Sequence, residues 1–310
     1  MYLNYEVILC SYNGSFYIIE QLESIIQQSI QPSKIILSDD GSSDNTILLV
    51  KEFLSNYDDI ELVIIEGPRK GPSLNFLSTL KYSTEEYVFF ADQDDVWLKD
   101  KIERYLDYIT IFSKDVPQLF FSDALLVDEN RNFEGFTHLQ HLKIRPEELD
   151  SNSLIFLNYI QGATICLNSN LVNLINRQVK ETGLNDIIIH DWWCALVANY
   201  FGEIVFIDEA LIEYRQHDNN VIGSNRKFNI RTKTCLAFLM AKQYLKLYDL
   251  LQEDKKSKKK IKLFTLFTSK RLMQSVGLLK FSFVLFPFLL FSCLNCVTNN
   301  ISKYKLDKSK

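Results

Sequence analysis

No glycine-rich phosphate cradle occurs in this sequence. GxGxxG is absent, which excludes a dinucleotide-binding turn, and no P-loop fits either. A bound diphosphate must therefore be held by something other than a backbone nest. A disulfide framework is missing as well. Cys10, Cys166, Cys194, Cys235, Cys293 and Cys296 are scattered, mostly in apolar runs, so reduced cytosolic thiols are expected. Cys293 and Cys296 have metal spacing but lack a second pair, which argues against zinc. Met1-Tyr2-Leu3-Asn4-Tyr5-Glu6 has neither a basic n-region nor an apolar h-region, so no signal peptide is expected. Basic residues are scarce in the first 224 positions, where 15 Lys and Arg face 35 Asp and Glu. Residues 225–310 reverse this, with 19 against 4. An acidic body with a basic tail implies an anionic partner surface for the tail, nucleic acid or a membrane leaflet.

What is present is organised around residues 87–102. Tyr87-Val88-Phe89-Phe90-Ala91 reads as a buried strand. It emits Asp92, Asp94 and Asp95, and Lys99-Asp100-Lys101-Ile102 opens a helix. Ligands of an open α/β sheet bind beyond the carboxyl ends of its strands. Crowded carboxylates suit a hard divalent cation that also takes phosphate oxygens. The bland alternative is a solvated acidic turn.

The preceding residues repeat this logic. Val7-Ile8-Leu9-Cys10 reads as a strand ending in Ser11-Tyr12-Asn13-Gly14. Ile18, Leu22, Ile25 and Ile26 recur at helical spacing over Tyr17–Gln28. Ile35-Ile36-Leu37 is a second strand, ending in Asp39-Asp40-Gly41, and Asp44 is placed to cap a helix over Thr46–Asn56. A third strand, Leu62–Ile65, and a helix over Leu74–Tyr82 follow. Apolar, non-alternating strands that alternate with helices predict an α/β fold: a mostly parallel sheet with helices on both faces.

Val7-Ile8-Leu9-Cys10-Ser11-Tyr12-Asn13-Gly14, Ser38-Asp39-Asp40-Gly41-Ser42-Ser43-Asp44-Asn45-Thr46 and Ala91-Asp92-Gln93-Asp94-Asp95-Val96-Trp97 resemble the N-terminal motifs of the inverting family-2 glycosyltransferases of GT-A fold. The resemblance covers roughly residues 5–224. It implies that Cys10, Tyr12, Asp40 and Asp92 line the donor nucleotide. It also implies that Asp92 and Asp94 hold Mg²⁺ or Mn²⁺ against the diphosphate, with Asp95 beside them.

Further along, Leu119–Asp123 and Ala124–Asp128 read as two strands or one bent strand. Asn130–Arg145 reads as a polar, irregular acceptor loop, with His138 and His141 as surface histidines lacking a third ligand. Gly162 lies in a loop that enters a strand and, by the resemblance, borders the acceptor pocket. Ile187–Ile189 lead into His190-Asp191-Trp192-Trp193 at a helix start. Asp191 could be an N-cap. A carboxylate among Ile189, Trp192 and Trp193 would also be partly desolvated, which raises its pKa and suits a base. The resemblance makes Asp191 the general base, with His190 and Trp192 as neighbours.

Ile204–Ile207 and Leu211–Tyr214 read as two strands. Arg215-Gln216-His217-Asp218-Asn219-Asn220-Val221 is a linker on the bland reading. By resemblance it is a loop over the diphosphate, with Arg215 near the phosphates and His217 on the metal. These motifs together are similar to those of bacterial rhamnosyltransferases of cell-wall and O-antigen assembly. That implies dTDP-L-rhamnose as donor and a lipid-linked saccharide as acceptor. UDP-glucose, UDP-galactose or UDP-GlcNAc is the alternative donor, and a non-catalytic carbohydrate-binding relative is a further one. QxxRW of processive synthases is absent, which favours single transfers.

Two regions are expected: a catalytic domain over 1–224, with a nucleotide-sugar half (1–100) and an acceptor half (101–224), and a basic helical region over 225–310. Leu278–Val297 approaches the about 20 apolar residues of a membrane span, but contains Lys280 and Pro287. With basic residues on both flanks, docking at the cytoplasmic face of the inner membrane, peripheral or monotopic, is expected. A buried helical hairpin is the alternative. Nucleic acid is not expected, because it has no use for the apolar run.

Overall fold

A computed structural model of the chain describes residues 3–149, 154, 157–182, 187 and 189–217. Residues Met1–Asn185 and Ile189–Asn225 form one compact unit, and every element named below belongs to it. The basic region 225–310, its apolar stretch and Asp218–Ser224 lie outside the described residues.

β1 (Tyr5–Ser11) is buried along its whole length, as is β2 (Lys34–Asp39) beside it. β3 (Glu61–Glu66) is half-exposed at the sheet edge, which tolerates its terminal glutamates. β4 (Tyr87–Asp92) runs on the other side of β1. All of these pair in parallel. Strands buried on both faces need no polar alternation, which is why their sequences are continuous apolar runs.

The helices that cover them follow local signals. α1 (Ile18–Ile26) turns Ile18, Leu22, Ile25 and Ile26 inward. Its first N–H groups are satisfied by the Gly14 carbonyl, which accepts from Tyr17 and Ile18 at 3.0 Å each. α2 (Thr46–Leu54) starts after Asn45, yet Asp44 still serves its first turn, accepting from Thr46 N at 3.1 Å. α3 (Pro72–Thr79) has Pro at its start, where no N–H is needed.

The second half of the sheet is mixed rather than parallel. β6 (Gln118–Val127) is one strand with register shifts near Asp123, so the two expected segments are a single bent strand. β8 (Cys166–Asn168) pairs antiparallel with both β4 and β6. β9 (Glu203–Arg215) joins the two expected strands into one, parallel to β6. A two-residue strand, β5 (Val96–Trp97), pairs antiparallel with β9. Among the described residues the order is β3-β2-β1-β4-β8-β6-β9-β5, with β7 (Phe133–Thr137) paired to β6. The acidic loop is thereby anchored at both ends, by β4 before it and by β5 after it.

The stretch expected to be an irregular loop is ordered. β7 and α5 (His138–His141) occupy it, and a reciprocal Thr137–Gln140 capping box starts the helical turn. α4 (Lys101–Ile109), α6 (Ser169–Thr182) and α7 (His190–Phe201) complete the unit. Among the described residues no helix is long and apolar enough to cross a membrane.

Candidate active site

Three loops leave the carboxyl ends of β1, β2 and β4 at one level, where Ser11 pairs with Asp39 and Cys10 with Asp92. They are laced together. Gln93 Oε1 accepts from Tyr12 N at 2.8 Å, and Gln93 Nε2 donates to Tyr12 O at 3.1 Å. This amide clamp needs a glycine opposite it, because a Cβ on Gly14 would lie 2.1 Å from Gln93 Oε1. The Tyr12 ring stays 58% exposed, a free flat face. Asp39 is buried and accepts from Ser11 Oγ at 2.8 Å and Ser42 N at 2.7 Å. Asp40 instead accepts from Arg69 N at 2.5 Å and Gly71 N at 2.7 Å. Arg69 and Gly71 adopt positive φ, 56° and 88°, in the loop that aims these N–H groups. Cys10 is buried beneath, its thiol pushed well up by burial and then by Asp92 and Asp40.

Burial, then repulsion from Asp94 and Asp191, pushes the Asp92 carboxyl up to about 8. Asp94 Oδ2 lies 2.9 Å from His217 Nε2, and the His217 ring stacks on Tyr17 at 5.1 Å. Asp95 turns inward: its Oδ1 accepts from Arg215 N at 3.1 Å, and its Oδ2 has no hydrogen-bond partner. Arg215 is buried and largely spent on the scaffold. Its Nε donates to Asp94 O at 2.8 Å and an Nη to Glu129 O at 2.7 Å, it pairs with Glu20, and it lies 4.5 Å over the Tyr17 ring.

Two carboxylates and an imidazole are a donor set that a divalent cation accepts. Neighbouring ligands on an octahedral cation with bonds of about 2.1 Å stand about 3 Å apart, close to the separation of Asp94 Oδ2 and His217 Nε2. The elevated Asp92 carboxyl is the state a cation relieves. The residues therefore fit such an ion. As the side chains stand, no group of three His, Cys, Asp or Glu among the described residues is gathered tightly enough to hold a metal.

Asp191 is buried in the first turn of α7. It is not the N-cap: that position is Ile189, which makes no side-chain cap. Asp191 Oδ1 accepts from Trp192 N at 2.5 Å and Asn158 Nδ2 at 2.9 Å. Burial raises its carboxyl to about 7, against the pull of these bonds. His190 packs between Phe76, centroids 4.2 Å apart, and Phe90, and burial lowers it to about 3. A Cβ on Gly162 would sit 2.7 Å from His190 Nε2 and 3.6 Å from Asp191 Oδ2, so only glycine fits that turn. Trp192 is buried, and its indole N–H donates to the Leu154 carbonyl.

Several residues at this site carried no readable signal. Lys101, expected only to open a helix, is fully buried. Its ammonium donates to Ala163 O at 3.0 Å and sits 3.9 Å over Trp97, and burial lowers it to about 7. Gln93 and Asn158 act through backbone and carboxylate contacts that no spacing announces. The surface assignment is corrected for His138. His138 is half-buried and lowered to about 4 by burial, and His141 stacks on Phe136 at 5.4 Å.

Residues 6–125 match the family model described as Glycosyl transferase family 2. The chain is 29% identical over 233 residues to the dTDP-rhamnosyl transferase RfbG of Shigella flexneri, covering 73% of this chain and 77% of that protein. The structure of S. aureus TarS in complex with UDP-GlcNAc superposes with a TM-score of 0.55 at 17% identity, covering 91% of this chain and 82% of that one. The mannosyltransferase PcManGT of Pyrobaculum calidifontis, in complex with GDP-Man and Mn²⁺, superposes with a TM-score of 0.53 at 14% identity, covering 99% of this chain and 83% of that one. Likeness at such identity carries the fold, which is GT-A.

Proposed function

We propose that this chain, a family-2 glycosyltransferase of GT-A fold, transfers L-rhamnose with inversion from dTDP-L-rhamnose to a lipid-linked saccharide in bacterial surface polysaccharide synthesis. The observation that carries the chemistry is the pairing of Asp191 with Asp92. The first is a buried carboxyl raised to about 7, and its charge acts on the second across the site. A carboxyl poised near neutral pH and the acidic loop are thus near enough for their charges to interact, which supports a base beside the donor diphosphate.

Asp191 accepts the proton of the acceptor hydroxyl as that oxygen attacks the anomeric carbon. Attack comes from the face opposite the diphosphate. The bond from the anomeric carbon to the acceptor oxygen forms while the bond to the diphosphate oxygen breaks. The nucleoside diphosphate leaves and the proton stays on Asp191. Tyr12 offers its exposed ring to the base, Asp40 and Cys10 border the nucleotide, and Asp92, Asp94 and His217 would hold Mg²⁺ or Mn²⁺. When bound, the cation supplies positive charge for the leaving diphosphate. Arg215 and Asp95 hold the acidic loop in place, and Gly162, His190 and Trp192 shape the surroundings of the base.

The donor rests on the 29% identity to a dTDP-rhamnosyl transferase. A UDP-hexose is the second reading, favoured by the likeness to a chain that binds UDP-GlcNAc. A donor panel scored for nucleoside diphosphate release, with and without a lipid-linked acceptor and with and without chelator, separates the two. Preferential release of UDP would remove rhamnose. The excess of basic residues in 225–310 supports docking on an anionic cytoplasmic membrane face. Deletion of 255–310 should lower vesicle binding more than transfer to a soluble acceptor. Binding that survives alkaline carbonate would instead indicate a span.

A further inference from the structure

Asp191 is held from outside its own helix. Asn158, in the extended segment ahead of Gly162, donates Nδ2–H to Asp191 Oδ1 at 2.9 Å, and its own Oδ1 accepts from Ile160 N at 3.2 Å. The Ile160 N–H needs an acceptor, so the Asn158 amide can face only one way. The same segment is tied to α7 a second time, by the Trp192 indole and the Leu154 carbonyl. Trp192 N also donates to Oδ1, at 2.5 Å. Both bonds therefore load one carboxylate oxygen. The other, Oδ2, lies on the Gly162 side, where it faces that residue's backbone and no side chain.

We infer that Asn158 is a positioning residue for the base: it pins Asp191 Oδ1 so that Oδ2 is the oxygen presented to the acceptor hydroxyl. This rests on the reading of Asp191 as the base. The groups around the carboxyl explain why a neutral donor is needed. Its charge raises Asp92, on β4, and the Cys194 thiol, one turn along α7. His190 is uncharged beside Gly162. The groups that favour the ionised carboxylate are N–H donors: Trp192, Asn158 and the Gly162 backbone. Asn158 is the one among them that is a side chain and can be changed without touching the helix or the turn.

The experiment uses the full chain with Asn158→Ala and Asn158→Asp. The first removes the donor, and the second is nearly isosteric and replaces the donor with a second carboxylate. Two readouts are taken. One is the Asp191 titration by ¹³C-carboxyl NMR, its resonance identified by its loss in Asp191→Asn. The other is the pH profile of kcat with Mn²⁺ and whichever of dTDP-L-rhamnose or UDP-glucose is turned over. Both variants should move the titration and the acid limb of kcat upward by about one pH unit. The rate at pH 7 should fall about fivefold, as the ionised fraction drops, with donor Kd unchanged. A titration and acid limb that stay at their wild-type positions in both variants, beside an inactive Asp191→Asn, would overturn this inference and leave the base assignment standing. A near wild-type rate in Asp191→Asn would overturn both. If Asn158→Ala does not fold, Asn158→Asp decides alone.

Discussion

Asp94 Oδ2 and His217 Nε2 stand 2.9 Å apart although 123 residues of chain separate them. The contact is imposed by β9, which carries Arg215 N to the Asp95 carboxyl and Arg215 Nε to the Asp94 carbonyl. His217 emerges two residues later and is steadied against Tyr17. One imidazole and the acidic loop thus share a single face.

Removal of that imidazole should be read out by cation binding before any rate is measured. His217→Ala and Asp94→Asn should each weaken Mn²⁺ binding by at least about 10–100-fold, the loss already seen when only a group behind a metal ligand is removed. Donor binding should weaken with it. Titration of Mn²⁺ by its paramagnetic resonance signal is the measurement. Full turnover of the wild-type chain in excess chelator would sink the assignment.

Asp191→Asn should leave donor affinity intact and lower kcat by about 10²–10⁴-fold. The amide remains isosteric in the first turn of α7, so the fold should persist. In the wild-type chain the base must be ionised to act. With its carboxyl raised to about 7, kcat should rise with pH through that region and fall below it. A rate independent of pH between 5 and 8 would count against the assignment.

The Gln93 clamp on Tyr12 predicts a defect in binding rather than chemistry. A methyl group on Gly14 would collide with the Gln93 amide, freeing the Tyr12 N–H and carbonyl together. Gly14→Ala and Gln93→Ala should each raise the donor Kd about threefold to tenfold, the loss of one or two modest hydrogen bonds. The double variant should be no worse than either single one, since both remove the same contact. Strict additivity, read by calorimetry, would show the two acting separately.

Stability has its own weak point at the opposite end of the strands. Lys34 and Glu6 form a buried ion pair at 2.5 Å, and Glu6 also accepts from Thr84 N at 3.1 Å. Lys34→Met strands a buried carboxylate and should cost about 3–5 kcal/mol in urea unfolding. Lys34→Met with Glu6→Gln should recover most of that loss, with donor affinity unaltered throughout. A cost as large in the pair of changes would point to packing instead of charge.

The continuous apolar runs of β1, β2 and β4, each opening into polar loops, are written locally, and hydrophobic periodicity places Tyr12, Asp40 and Asp92 at strand ends, while the pairing of β1 with both β2 and β4 is what makes those ends neighbours. The desolvation of Asp191 is legible too, as a lone carboxylate among aromatic and aliphatic neighbours, and burial does raise its carboxyl. Val96–Trp97 is too short to announce a strand. It becomes one because β9 supplies the partner edge. Asn158, Gln93 and Lys101 are likewise ordinary in their local context. Each takes its role from a group at least 33 residues away, Asp191, Tyr12 and Ala163 respectively. His138 looks like a solvated histidine until Asp123 of β6 and the Tyr214 ring are brought beside it. Local patterning depends on covalent neighbours and can be read from the chain. Burial, charge coupling and donor–acceptor pairing depend on which distant segments share a volume, and only the packed sheet decides that.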